Sequence, residues 1–187
     1  MKKAILVFVS ACTALTSCGP SQLREKDVAT IFTEEKAYPK SVEYRVFAGN
    51  NETAGELHDA GLDSLGYVTL QLEHTEDDIG KPLIRFTEKA APYLLETSDI
   101  HKSIDAQNVK LADEYFRGVT DITTNAKGDR AEVVYTTSYK NATPFMVLSR
   151  ESKDSVQHRI TYFKLSGDHW MWEGKIMKTH GNPQEEE

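Results

Sequence analysis

Two runs near the C-terminus constrain this chain more than any other feature. Ala131 to Lys140 places Val133, Tyr135, Thr137 and Tyr139 on one face of a strand, because side chains alternate across a strand with a period of two. His158 to Leu165, the turn Ser166-Gly167-Asp168, and His169 to Ile176 repeat the device and put Trp170 and Trp172 on a common face. Tyr115 to Thr124 precedes Asn125-Ala126-Lys127-Gly128-Asp129, a Gly-bearing turn that makes a hairpin with Ala131 to Lys140. Four strands joined by short turns make an antiparallel sheet with a face to bury.

The N-terminal half reads differently. Leu23, Val28, Ile31 and Phe32 fall on one face of a helix that Ser21 can cap. Val42, Tyr44 and Val46 alternate as a short strand. Thr53 and Glu56 have capping-box spacing before Leu57 and Ala60, with Gly61 as terminator. Strands follow at Val68 to Leu72 and Pro82 to Phe86, joined by the acidic turn His74 to Lys81. Thr87 then caps a short helix reaching about Glu96. Asp59-Ala60-Gly61-Leu62, Tyr67 to Glu73 and Arg85-Phe86-Thr87-Glu88-Lys89 resemble the helix end and wing of a winged-helix unit. The expected fold class is therefore α+β: N-terminal helices with a β-hairpin, packed with a C-terminal antiparallel sheet. A single body over 21–180 is expected, with sub-lobes 21–96 and 109–180, because neither half alone offers much core. The polar tail 181–187 stands outside it.

The first residues belong to a different problem. Met1-Lys2-Lys3 is a short positive segment, and Ala4 to Leu15 is apolar over the length of a signal-peptide core. Leu15-Thr16-Ser17-Cys18 resembles the lipobox of bacterial lipoproteins, with Ser17 where Gly or Ala is commoner. The resemblance implies removal of 1–17 and lipid on Cys18. Residues 18–20 then form a minimal tether holding the body close to the membrane. Gly19 follows the cysteine where Asp marks inner-membrane retention in enterobacteria, so the resemblance implies the outer membrane, facing the periplasm.

Charge and cysteine count narrow the chemistry. The chain has a formal charge of −7, and loss of Lys2 and Lys3 takes the mature part to about −9. Such a body is unsuited to nucleic acid, which requires clustered Lys and Arg. Cys12 and Cys18 are the two cysteines, so beyond the lipidation point no thiol remains for a disulfide, a thiolate metal site or a nucleophile.

The remaining candidates are weaker than their bland readings. Glu73, His74, Glu76, Asp77 and Asp78 could ligate a cation, but they lack EF-hand spacing and read as a solvated turn. His58-Asp59 could suggest a base with its orienting carboxylate, yet adjacent helical side chains diverge by about 100°. Six histidines include no recognised metal pair, no glycine-rich phosphate loop is present, and no cofactor is implied. Pro144 interrupts a strand, and Phe145, Met146 and Val147 after it either fold under the sheet or stand out with Pro144 as a partner contact. The expected function is a non-catalytic binding or accessory lipoprotein with a protein partner in the envelope. The alternatives are an inhibitor or immunity-type lipoprotein, and a small periplasmic hydrolase whose groups converge only in three dimensions. Convergent titratable groups in a cleft would favour the hydrolase; a shallow apolar patch rimmed by Asp and Glu would favour the binding readings.

Overall fold

A computed structural model describes residues 22–71, 82–149 and 151–178. The elements run α1 (Glu25–Glu34), β1 (Lys40–Phe47), α2 (Asn51–Asp59), β2 (Val68–Leu70), β3 (Ile84–Phe86), a first 3-10 helix (Glu88–Tyr93) and α3 (Asp99–Lys102). Then come β4 (Ala106–Thr124), β5 (Arg130–Lys140), a second 3-10 helix (Pro144–Leu148), β6 (Val156–Ser166) and β7 (His169–Lys178). Strands β1-β4-β5-β6-β7 form one antiparallel sheet in that order, and β2-β3 is a separate short hairpin.

The fold is mostly β, a curled half-barrel sheet with a few short helices, and this corrects the α+β expectation. The helices-plus-hairpin arrangement does not form because β1 leaves the N-terminal half and pairs with the beginning of β4. Lys40 stands opposite Glu114 and Phe47 opposite Ala106. β4 is 19 residues long, and its first part serves β1 while its second part, Asp113 to Thr124, pairs with β5. The winged-helix-like segment contributes α2, three-residue strands and a 3-10 turn, all packed against the large sheet.

Curling has a local cause. Register shifts interrupt β1-β4 at Val42/Glu43, β4-β5 at Phe116/Gly118 and Val119/Asp121, and β6-β7 at Thr161/Phe163. A bulge puts an extra residue in one strand, which bends it and increases its twist. Gly174 takes φ 72° within β7, a conformation that costs a residue with a Cβ.

Each end of the concave face is filled by its own apolar plug. Under α1, Val28 and Phe32 meet Val133, Tyr135 and Phe163. Phe32 is the hub: its ring lies 5.3 Å from Phe116, 5.2 Å from Tyr135 and 5.4 Å from Trp172. Trp170 and Trp172 therefore pack against a core, and the Trp172 indole donates to Thr161 Oγ1 at 2.7 Å. The second plug joins α2, the hairpin and the second 3-10 helix to the start of β4 through Leu57, Ile84, Val109 and Phe145. Phe145 is fully buried, its ring about 6 Å from Tyr67, Phe86 and Tyr93, and Met146 is buried beside it. Phe145 and Met146 thus fold under the sheet, Pro144 is half-buried as the first residue of that turn, and Val147 is exposed.

The caps differ in detail from expectation. Ser21 lies outside the described residues, and the N-cap of α1 is Arg24, whose backbone N–H donates to Asp27 Oδ2 at 3.0 Å. α2 is capped by Asn50, which accepts from the Thr53 N–H at 2.8 Å, and Gly61 (φ 71°) follows its end. Thr87 spends its hydroxyl on the carbonyls of Gly66 and Tyr67, and the helix after it stays a 3-10 turn.

Candidate functional site

Between the two plugs the inner face becomes polar. The apolar positions of β4 lie on either side of Glu114, with Val109 and Leu111 below it and Phe116 above. On β5, Thr137 falls between Tyr135 and Tyr139; on β6, Arg159 and Thr161 precede Phe163. The half-barrel therefore has a polar waist, and at that waist a pocket of about 400 Å³ is lined by Lys40, Ser41, Val42, Glu43, Glu114, Tyr139 and Arg159.

An ion pair forms its floor. Glu114 Oε1 accepts from Arg159 Nε at 2.8 Å, from Arg159 Nη2 at 2.7 Å and from Thr137 Oγ1 at 2.5 Å. The Glu114 and Arg159 side chains are 7% and 5% exposed, so the pair has lost most of its water. A buried charge is tolerated only when paired and hydrogen-bonded. Arg159 Nη2 also donates to the Tyr139 hydroxyl at 3.2 Å, Nη1 donates to the His158 carbonyl at 3.3 Å, and Tyr139 in turn donates to Glu151 Oε2. Burial alone would make the Arg159 guanidinium easier to deprotonate, but Glu114, Tyr139 and Glu151 outweigh it and hold the proton more firmly. Tyr139 is pushed well above the usual phenol range by burial and then by its bond to Glu151. Beside them Tyr38 and Tyr135 share a 2.8 Å hydrogen bond between hydroxyls; burial raises both, Tyr135 to about 12.

β1 makes one wall. Lys40 and Val42 share the inner face, Lys40 directly opposite Glu114, while Ser41 and Glu43 alternate to the other side. Lys40 makes no ion pair among the described residues, since the carboxylate opposite is already engaged by Arg159.

The sequence-derived candidates fall elsewhere. Cys18 and the acidic group Glu73 to Asp78 lie outside the described residues, as does the tail 181–187. His58 does not pair with Asp59; its Nδ1 meets Asp63 Oδ2 at 2.7 Å across the turn that follows α2. The Asp63 carboxyl is held below its ordinary range by His58 and by the Ser64 backbone N–H. Among the described residues no group of three His, Cys, Asp or Glu could hold a metal ion, and no helix is long and apolar enough to cross a membrane.

Sequence reasoning missed Glu114, Arg159 and Lys40. The available signal was polarity out of place: Thr137 sits in the apolar row of β5, and Arg159 is in phase with Thr161 and Phe163. Glu114 had no such signal, because the β4 bulges break the alternation around it.

No family model, no curated protein and no solved structure matches this chain.

Proposed function

We propose that this protein is a non-catalytic binding protein of the bacterial cell envelope, held to the outer membrane by lipid on Cys18 and facing the periplasm, with the waist pocket as its ligand site. The observation that carries the binding part of this reading is the commitment of the pocket's protons. Arg159 is spent on Glu114, Tyr139 on Glu151, and the phenol is held neutral. Titratable groups do converge here, the arrangement tied above to a hydrolase. General acid–base work, however, needs a group that exchanges a proton near working pH. Arg159 and Tyr139 are both held away from that condition, and no histidine lines the pocket. Fixed charges on rigid strands suit recognition instead.

Mass spectrometry of the mature N-terminus should find an acylated Cys18, and Cys18→Ala should release the protein from the membrane fraction. A pull-down of the full-length chain from detergent-solubilised membranes should recover an envelope protein. Recovery of a secreted lytic enzyme would instead support the inhibitor, and an unacylated N-terminus would remove the anchor.

A further inference from the structure

We infer that the open edge of β1 pairs with the same edge of a second copy of this chain, centred on Tyr44, to give a two-fold dimer with one continuous sheet. This goes beyond the binding reading above and does not depend on it.

Backbone direction comes first. β1 is the outermost strand of its sheet, with β4 as its neighbour. Asn108 of β4 stands opposite Arg45, yet its N–H donates to Thr97 Oγ1 at 3.1 Å and its carbonyl accepts from the Leu95 N–H at 2.9 Å. Both groups are turned away from β1. Opposed residues in an antiparallel ladder exchange both bonds or neither. Arg45 therefore points its own N–H and carbonyl at the open side, and Glu43, two residues along, does the same. Lys110, opposite Glu43, fits this phase, since its carbonyl accepts from Thr143 Oγ1 at 2.5 Å. Outside the β1-β4 ladder, the backbone of Glu43 and Arg45 makes no hydrogen bond among the described residues. The small hairpin meets the chain past the strand's end, where the Ile84 N–H donates to the Ala48 carbonyl at 3.0 Å.

Charge selects the occupant. An edge carrying charge of one sign repels its own copy, which is how sheet edges are commonly protected. β1 carries Glu43 and Arg45 instead, opposite in sign, two residues apart and both exposed on the outer face. Asn108 sits between them, donating to Glu43 Oε2 and accepting from Arg45 Nε, each at 3.3 Å, and neither residue makes an ion pair among the described residues.

A two-fold contact is reciprocal. Centring it on Tyr44 sets Glu43 opposite the partner's Arg45, and Arg45 opposite the partner's Glu43. These are the residues whose backbones face the open side, so each pair can exchange both of its N–H···O bonds. A centre on Glu43 or on Arg45 would oppose like charges. On the inner face the Tyr44 centre sets Val42 opposite the partner's Val46, apolar against apolar. The axis runs perpendicular to the joined sheet, so both copies keep α1 on the same face of it and both can hold to one membrane. The second strand also borders the waist pocket, whose wall includes Lys40 to Glu43.

The test is sedimentation of the full-length protein in density-matched detergent. The unaltered chain should form a dimer at micromolar concentration. Glu43→Lys and Arg45→Glu, both at exposed positions, should each weaken self-association by about tenfold or more, because both symmetry-related contacts become repulsive. Mixing the two variants in equal amounts should restore association, since each then meets the opposite charge across the axis. Mixing cannot repair a folding defect, so this arm separates pairing from damage. A monomer throughout the micromolar range would overturn the inference. So would a dimer that both reversals leave unchanged, or one that they weaken and mixing does not recover.

Discussion

Arg159 and Glu114 show how much one buried pair can ask of its surroundings. Each ion has left water, and the loss is offset only while the partner, the Thr137 hydroxyl and the Tyr139 hydroxyl remain in place. Removing one charge strands the other. Glu114→Gln should therefore lower unfolding free energy by about 3 kcal/mol in urea titrations, and Arg159→Met by a similar amount. Changing both, Glu114→Leu with Arg159→Met, should restore much of that stability, since a matched apolar pair leaves no ion unpaired. Lys40→Ala, on the rim, should shift stability by less than about 0.5 kcal/mol, which makes it the cleaner probe of ligand binding. At this scale the sequence was partly legible. Tyr139 and Thr137 fall on one face in the sequence pattern, as they do in β5, whereas Glu114 and Arg159 are not singled out there, because each finds its partner 45 positions away.

Among the elements, α1 and the second 3-10 helix act as stoppers. The α1 periodicity in Leu23, Val28, Ile31 and Phe32 pointed to one buried face, and that face covers the concave sheet between β4 and β7. Phe32→Ala would empty the space shared by Phe116, Tyr135 and Trp172 and should cost about 3–5 kcal/mol. Tryptophan emission should shift to the red in the variant as water reaches Trp172, and an unchanged spectrum would argue that α1 is not the plug. Hairpins β4-β5 and β6-β7 were legible because their turns are local. Asn125 Oδ1 accepts from the Asp129 and Arg130 N–H groups, and Gly128 and Gly167 supply positive φ. The β1-β4 pairing was not legible. Its partners are separated by α2, the small hairpin and α3, and a strand's own alternation does not name its neighbour.

The whole molecule gathers three tyrosines, Tyr38, Tyr135 and Tyr139, around its waist, and this gives it an alkaline limit. All three are raised above their ordinary value, chiefly by burial. In the folded chain each keeps its phenol proton where the unfolded chain, near pH 10, releases it. The folded state thus binds more protons above pH 10. Stability is complete below that pH and falls as the pH climbs through the window from 10 to about 12, where Tyr135 itself ionises. Each tyrosine still protonated in that window should subtract about 1.4 kcal/mol per pH unit. Melting temperature should stay level to about pH 10 and then drop steeply. Absorbance at the tyrosinate band should show these tyrosines titrating only as the chain unfolds. A flat melting temperature to pH 11.5 would contradict their burial.

What the sequence determined by itself was local: where strands alternate, where turns reverse, which helix face is apolar, and which motif precedes Cys18. These follow from interactions within a few residues, which a linear pattern records. Tertiary structure decided that one N-terminal strand would complete the sheet, that Phe145 and Met146 would be interior, and that Glu114, Arg159 and Lys40 would line one pocket. Such outcomes depend on which distant surfaces bury each other and which buried charges must then find partners, and these are properties of the packed chain.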